Sequence, residues 1–93
     1  LEISGWAFVE GLDATNQSVY VRLKYDDGTK MTYDTLSISR PDVGTAFNNE
    51  LYNNSGFRAK IPADKVQDEN VKIEILISNG GYIYIASDPL SSK

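Results

Sequence analysis

A chain of 93 residues is enough for one domain around one core, since single domains cluster at roughly 100 to 150 residues. With 41% apolar and 24% charged residues it has the composition of a folded domain, and its nine Lys and Arg, scattered against a net charge of −4, offer no basic face for duplex nucleic acid, a polyanionic polymer or an anionic membrane. The lack of Cys and His excludes disulfides, the usual zinc and copper ligand sets, and nucleophilic catalysis of the Ser-His-Asp or Cys-His kind.

The chain opens on Leu1 and enters a strand almost at once, which reads as a piece of a longer protein. No run of about 18 apolar residues is present to cross a bilayer. The first strand is expected over residues 2–10. Its Trp6, beside Gly5, is expected in the core, where a lone Trp of a sandwich usually lies. Residues 11–17 are rich in turn formers. Val19, Val21, Leu23 and Tyr25 then alternate with Tyr20, Arg22, Lys24 and Asp26, the period of a half-buried strand. Asp27-Gly28 supplies a hairpin turn, and residues 30–38 read as the return strand.

Residues 39–57 are the one stretch that does not read as a strand. Pro41 suits the first position of a helix and Asp42 its positive end, so one short helical turn is expected near residues 41–47. Ala46 and Phe47 should then drop toward the sandwich while Asn48, Asn49, Asn53 and Asn54 stay at the surface, and Gly56 allows a tight re-entry. Arg40 and Asp42 can bridge bidentately and read as a structural clasp rather than a ligand site.

A strand over residues 56–61 ends at Pro62, which has no amide to give a ladder. Turn formers fill residues 63–70. Val71, Ile73, Ile75 and Ile77 then alternate with polar neighbours, and Asn79-Gly80-Gly81 turns the chain into a strand over residues 82–87. About six or seven short strands in hairpins, with no long helix, predict an antiparallel sandwich or a small barrel.

Sugars stack their apolar faces on exposed rings, which makes Tyr20, Tyr52, Tyr82 and Tyr84 the candidate binding residues, with Asn48, Asn49, Asn53 and Asn54 for hydroxyl groups. The same tyrosines would serve equally as cross-strand pairs. Thirteen carboxylates are present, but none sits in a paired signature for glycoside hydrolysis, and no catalytic residue is expected. Asp13, Asp26, Asp27, Asp34, Asp42, Asp64 and Asp68 fall mostly in turns; no segment has the calcium-loop spacing, and backbone hydrogen bonding accounts for Asp there. No metal or other cofactor is expected.

Gly5-Trp6-Ala7, Asp27-Gly28, Arg40-Pro41-Asp42-Val43 followed by Ala46-Phe47, and Ser55-Gly56-Phe57 form an ordered series across residues 3–84. The series resembles small immunoglobulin-like β-sandwich modules of Gram-positive cell-envelope and surface proteins, where such modules accompany glycosyltransferases and wall-polymer enzymes. Thr32-Tyr33-Asp34 departs from the Tyr-Gly corner expected after the hairpin. The resemblance implies one immunoglobulin-like sandwich over residues 1–93, acting as a non-catalytic accessory domain of a larger envelope protein. The favoured role, drawn from the candidate tyrosines and asparagines rather than from the series, is to help recognise or position cell-wall glycan, so the expected partners are that glycan and the other domains of a parent protein, with no nucleic acid and no membrane insertion by this segment. The other reading is a spacer or protein-interaction module with no small ligand.

Overall fold

The computed structural model describes residues 1–66 and 71–86. Asp68, the far end of the turn region 63–70 and the last residue of the strand expected over 82–87 lie outside them. The described chain forms seven strands, β1 (Glu2–Trp6), β2 (Ser18–Lys24), β3 (Lys30–Asp34), β4 (Leu36–Ile38), β5 (Gly56–Lys60), β6 (Lys72–Asn79) and β7 (Tyr82–Ala86), and one helix, α1 (Pro41–Ala46). Single 3₁₀ turns occupy Ala14–Asn16, Glu50–Tyr52 and Ala63–Lys65.

The strands form two antiparallel sheets, ordered β1-β5-β4 and β3-β2-β6-β7. This is an all-β sandwich, with the wiring of an immunoglobulin-like fold in which three strands face four. The alternation read from the sequence sets the inner faces. Val19, Val21 and Leu23 of β2 and Ile75 and Ile77 of β6 meet Ile3 of β1, Phe57 and Ala59 of β5, and Ile61 just beyond. Tyr33 and Tyr84 close the core from the flanking strands.

Turn chemistry fixes the hairpins. Asn79 pairs with Tyr82, leaving Gly80 and Gly81 as a two-residue loop with φ of +63° and +84°. Both values belong to the left-handed region that a type I′ turn demands and that glycine enters without strain. In the β2–β3 hairpin the Asp27 carboxylate accepts from the backbone N–H and the hydroxyl of Thr29 at 2.9 and 2.6 Å. Those bonds, the hydroxyl's first, hold the Asp27 carboxyl below its ordinary value.

The expected single strand over residues 30–38 is two strands in different sheets, joined by Thr35 alone. The inward parity of Tyr33 continues through Thr35 to Ser37, which stands opposite Phe57. Nothing in the spacing therefore marks the switch. The Thr35 hydroxyl donates to the Val19 carbonyl at 2.7 Å and ties the crossing to β2. The first strand is also shorter than residues 2–10, ending at Trp6, although Ala7 still donates to the Ser55 carbonyl.

Gly56 is needed for close approach. A Cβ there would lie 2.5 Å from both the Ile38 carbonyl oxygen and Arg40 Cγ. Gly56→Ala is therefore expected to destabilise the fold by about 1–3 kcal/mol, the usual cost of overpacking, as read from chemical denaturation; an unchanged midpoint would contradict this packing.

Candidate functional site

Residues 39–57 build one end of the sandwich. Pro41 opens α1 and Asp42 lies in its first turn. Arg40 donates from Nε to Asp42 Oδ1 at 2.9 Å and from Nη2 to Oδ2 at 2.8 Å, a bidentate pair at the surface. Hydrogen bonding within the pair raises the Arg40 value and holds the Asp42 carboxyl below its usual range. The Arg40 backbone N–H also bonds the Asn53 carbonyl, so the start of the segment is stapled to its far end.

The asparagines are mostly committed to the loop itself. Asn49 caps the turn Glu50–Tyr52 by accepting from the Leu51 N–H at 2.9 Å. The Asn54 side chain donates to the Thr15 hydroxyl at 2.9 Å. Asn53 packs against Gly44 so closely that a Cβ on that glycine would overlap its side chain. Asn48 is exposed, with φ of 51° just past the helix, a conformation that asparagine tolerates better than most residues.

Four aromatic rings gather beside this loop. Phe8 stacks on Tyr52 at 3.7 Å and on Trp6 at 5.7 Å, and Phe47 meets Trp6 and Phe8 edge-on at 5.5 and 5.0 Å. Tyr52 is the buried base of the cluster, 5% exposed, and its hydroxyl accepts from the Gly11 N–H at 2.9 Å. It is thereby withdrawn from the surface role expected of it. Trp6 and Phe47 hold the open side, 39% and 49% exposed.

Both positions correct the sequence reading. Trp6 has the opposite parity to Ile3 on β1, so it leaves the core and faces outward beside Gly56. In α1 the buried residues are Val43 and Gly44, while Ala46 is exposed and Phe47 turns onto Trp6 and Phe8. The signal that points to the cluster is Trp6-Ala7-Phe8, two rings two residues apart and hence on one face.

The other tyrosines separate. Tyr84 packs against the core and is not free to stack on a ligand. Tyr82 is 69% exposed at the β6–β7 turn, on a different element from the loop asparagines. Tyr20 is half-buried in the wall of a cleft of about 400 Å³ beside the β3–β4 crossing. Gln17 enters the same wall. Its Nε2 donates to the Ala7 carbonyl at 2.7 Å, while its Oε1 is buried with no partner among the described residues. An unsatisfied buried acceptor costs about 1–3 kcal/mol. The Ser55 hydroxyl, wholly buried, is likewise without a partner among the described residues.

At the opposite end, Asp26, Asp27 and Asp64 border a shallow open cleft. Asp27 is occupied with Thr29, and among the described residues no three acidic groups converge as metal ligands. No described helix is long and apolar enough to cross a membrane. Comparison with protein-family models, curated proteins and solved structures returned no match.

Two outcomes test this geometry. Arg40→Ala should return the Asp42 carboxyl toward its ordinary 3.8, followed by NMR titration of the carboxyl carbon. The pair's stabilisation is present in full above 3.8 and is lost as pH falls through the lowered folded value, so the variant should differ from the parent mainly above that window. Tyr52→Phe, which removes one hydroxyl from a buried ring, should cost about 1 kcal/mol in denaturant unfolding while the ring cluster's near-UV signal persists.

Proposed function

We propose that this domain is a non-catalytic accessory module of a Gram-positive cell-envelope or surface protein, and that it helps recognise or position a glycan of the wall. The observation that carries the reading is the aromatic platform, in which Trp6 and Phe47 present exposed faces on a base of Phe8 and buried Tyr52. Rings locked by stacking lose little entropy when a sugar lies on them, which favours binding by a rigid surface. Asn48 is exposed directly after Phe47, and its amide is of the kind that bonds hydroxyl groups. The net charge of −4 favours a neutral glycan over a polyanionic one.

A second reading, a spacer or protein-interaction module, draws on a different surface. Ile83 and Ile85 point outward from β7 at 70% and 54% exposure. Two exposed apolar side chains side by side on an edge strand suit a protein partner better than a sugar.

The two readings separate in a titration of the domain with wall-derived oligosaccharides, followed by indole and aromatic NMR signals. Trp6→Ala and Phe47→Ala should each weaken binding about fivefold, the equivalent of one lost ring contact of about 1 kcal/mol, with the fold intact. If none of the oligosaccharides perturbs these rings, the glycan reading fails and the interaction module stands.

A further inference from the structure

The cleft beside the β3–β4 crossing has the size and polar lining to hold a small polar ligand. At about 400 Å³ it falls in the lower part of the range for ligand pockets, which suits one or two small rings. Its wall brings together side chains from four places in the chain. Gln17 comes from the segment before β2, Tyr20 from β2, Asp34 and Ser37 from either side of the crossing, and Asn54 from the long loop.

The chemistry of that lining is weighted toward acceptors. Asp34 is paired with no cation among the described residues, whose ion pairs are Arg22–Glu74 and Arg40–Asp42. The Gln17 side chain lines the cleft without offering it a free group, since Nε2 is held by the Ala7 carbonyl and Oε1 is sealed from solvent. The Asn54 amide spends its nitrogen on Thr15, which leaves the oxygen as its remaining group. An anion is repelled here by Asp34 and by the overall charge, and an apolar ligand would strand the acceptors. A donor-rich ligand satisfies both conditions, and among such ligands the glycan reading selects a neutral ring bearing several hydroxyl groups, for which the half-buried Tyr20 ring stands in the wall.

We infer that this cleft is a second binding site, one that takes a single neutral pyranose ring through Asp34 and Asn54, with Tyr20 alongside and Gln17 in the wall. The inference rests on the glycan reading for the class of ligand, but it concerns a surface that shares no residue with the aromatic platform. The crossing at Thr35 makes the site rigid. Its hydroxyl is held by the Val19 carbonyl, so Asp34 and Ser37 are placed by backbone that belongs to both sheets.

The test is a nitrogen-detected NMR titration of the domain with glucose and with N-acetylglucosamine, each up to about 50 mM, where even a millimolar site fills. The side-chain amide signals of Gln17 and Asn54 report the cleft, and the Trp6 indole reports the platform. A saturable shift of both amides with at least one sugar is expected, weakened at least fivefold in Asp34→Ala and abolished in Ser37→Tyr, whose ring would fill the cleft. Asp34 is exposed, so its variant keeps the test intact should Ser37→Tyr fail to fold. Amides that do not move, that drift without saturating, or that respond equally in Asp34→Ala overturn the inference. A response at the Trp6 indole alone overturns it while leaving the platform reading in place; silence at the indole with saturation at the amides does the reverse.

Discussion

Strand β5 is where the competing demands on this small domain meet. Its inward residues, Phe57 and Ala59, fill the space between the sheets, and its outward start, Gly56, must leave room for Ile38 and the stem of Arg40. It is also the middle strand of its sheet, pairing with β1 on one side and β4 on the other. A domain of this size has little stability to spare, so a single strand that carries both the core and the loop attachment leaves few tolerable substitutions. The sequence Ser55-Gly56-Phe57 answers the three constraints in order: a residue small enough for full burial, a residue with no side chain, and the largest of the fully buried side chains.

The long loop follows from that arrangement. It joins the edge strand β4 to its neighbour β5 and must cover the open end of the sandwich while doing so. The backbone bond from Arg40 to Asn53 closes the loop on itself, and the side-chain bond from Asn54 to Thr15 ties it to the turn before β2. With most of its asparagines used in this way, the loop's contribution to the ring cluster is Phe47. Trp6 and Phe8 complete the surface because β1 happens to end beneath it.

Much of the fold was legible because the strands obey a simple period. Val19 to Tyr25 and Val71 to Ile77 place their apolar members on one face, and Gly80-Gly81 and Asp27-Gly28 declare their turns. The Arg40–Asp42 bridge and the helix start at Pro41 were legible for local reasons, since both partners lie within one turn. What was not legible depends on which side of a sheet is covered. Tyr52 and Trp6 exchanged their expected places for different reasons: Tyr52 is buried by the loop that folds over the sandwich end, where no alternation applies, whereas Trp6 follows the alternation of β1 and falls on the face opposite Ile3. The cleft was invisible for a related reason: Gln17, Asp34 and Asn54 are far apart in sequence and meet only because the chain changes sheets at Thr35.

That one-residue passage between sheets has a further meaning. Most sandwiches join their layers through loops that absorb a shift in one layer without telling the other. Here β3 and β4 share a rigid joint, so their pairings with β2 and β5 are locked in a single phase. A one-residue slip in either ladder would turn the other strand's side chains inside out. The registers of the two layers are therefore coupled through a single residue.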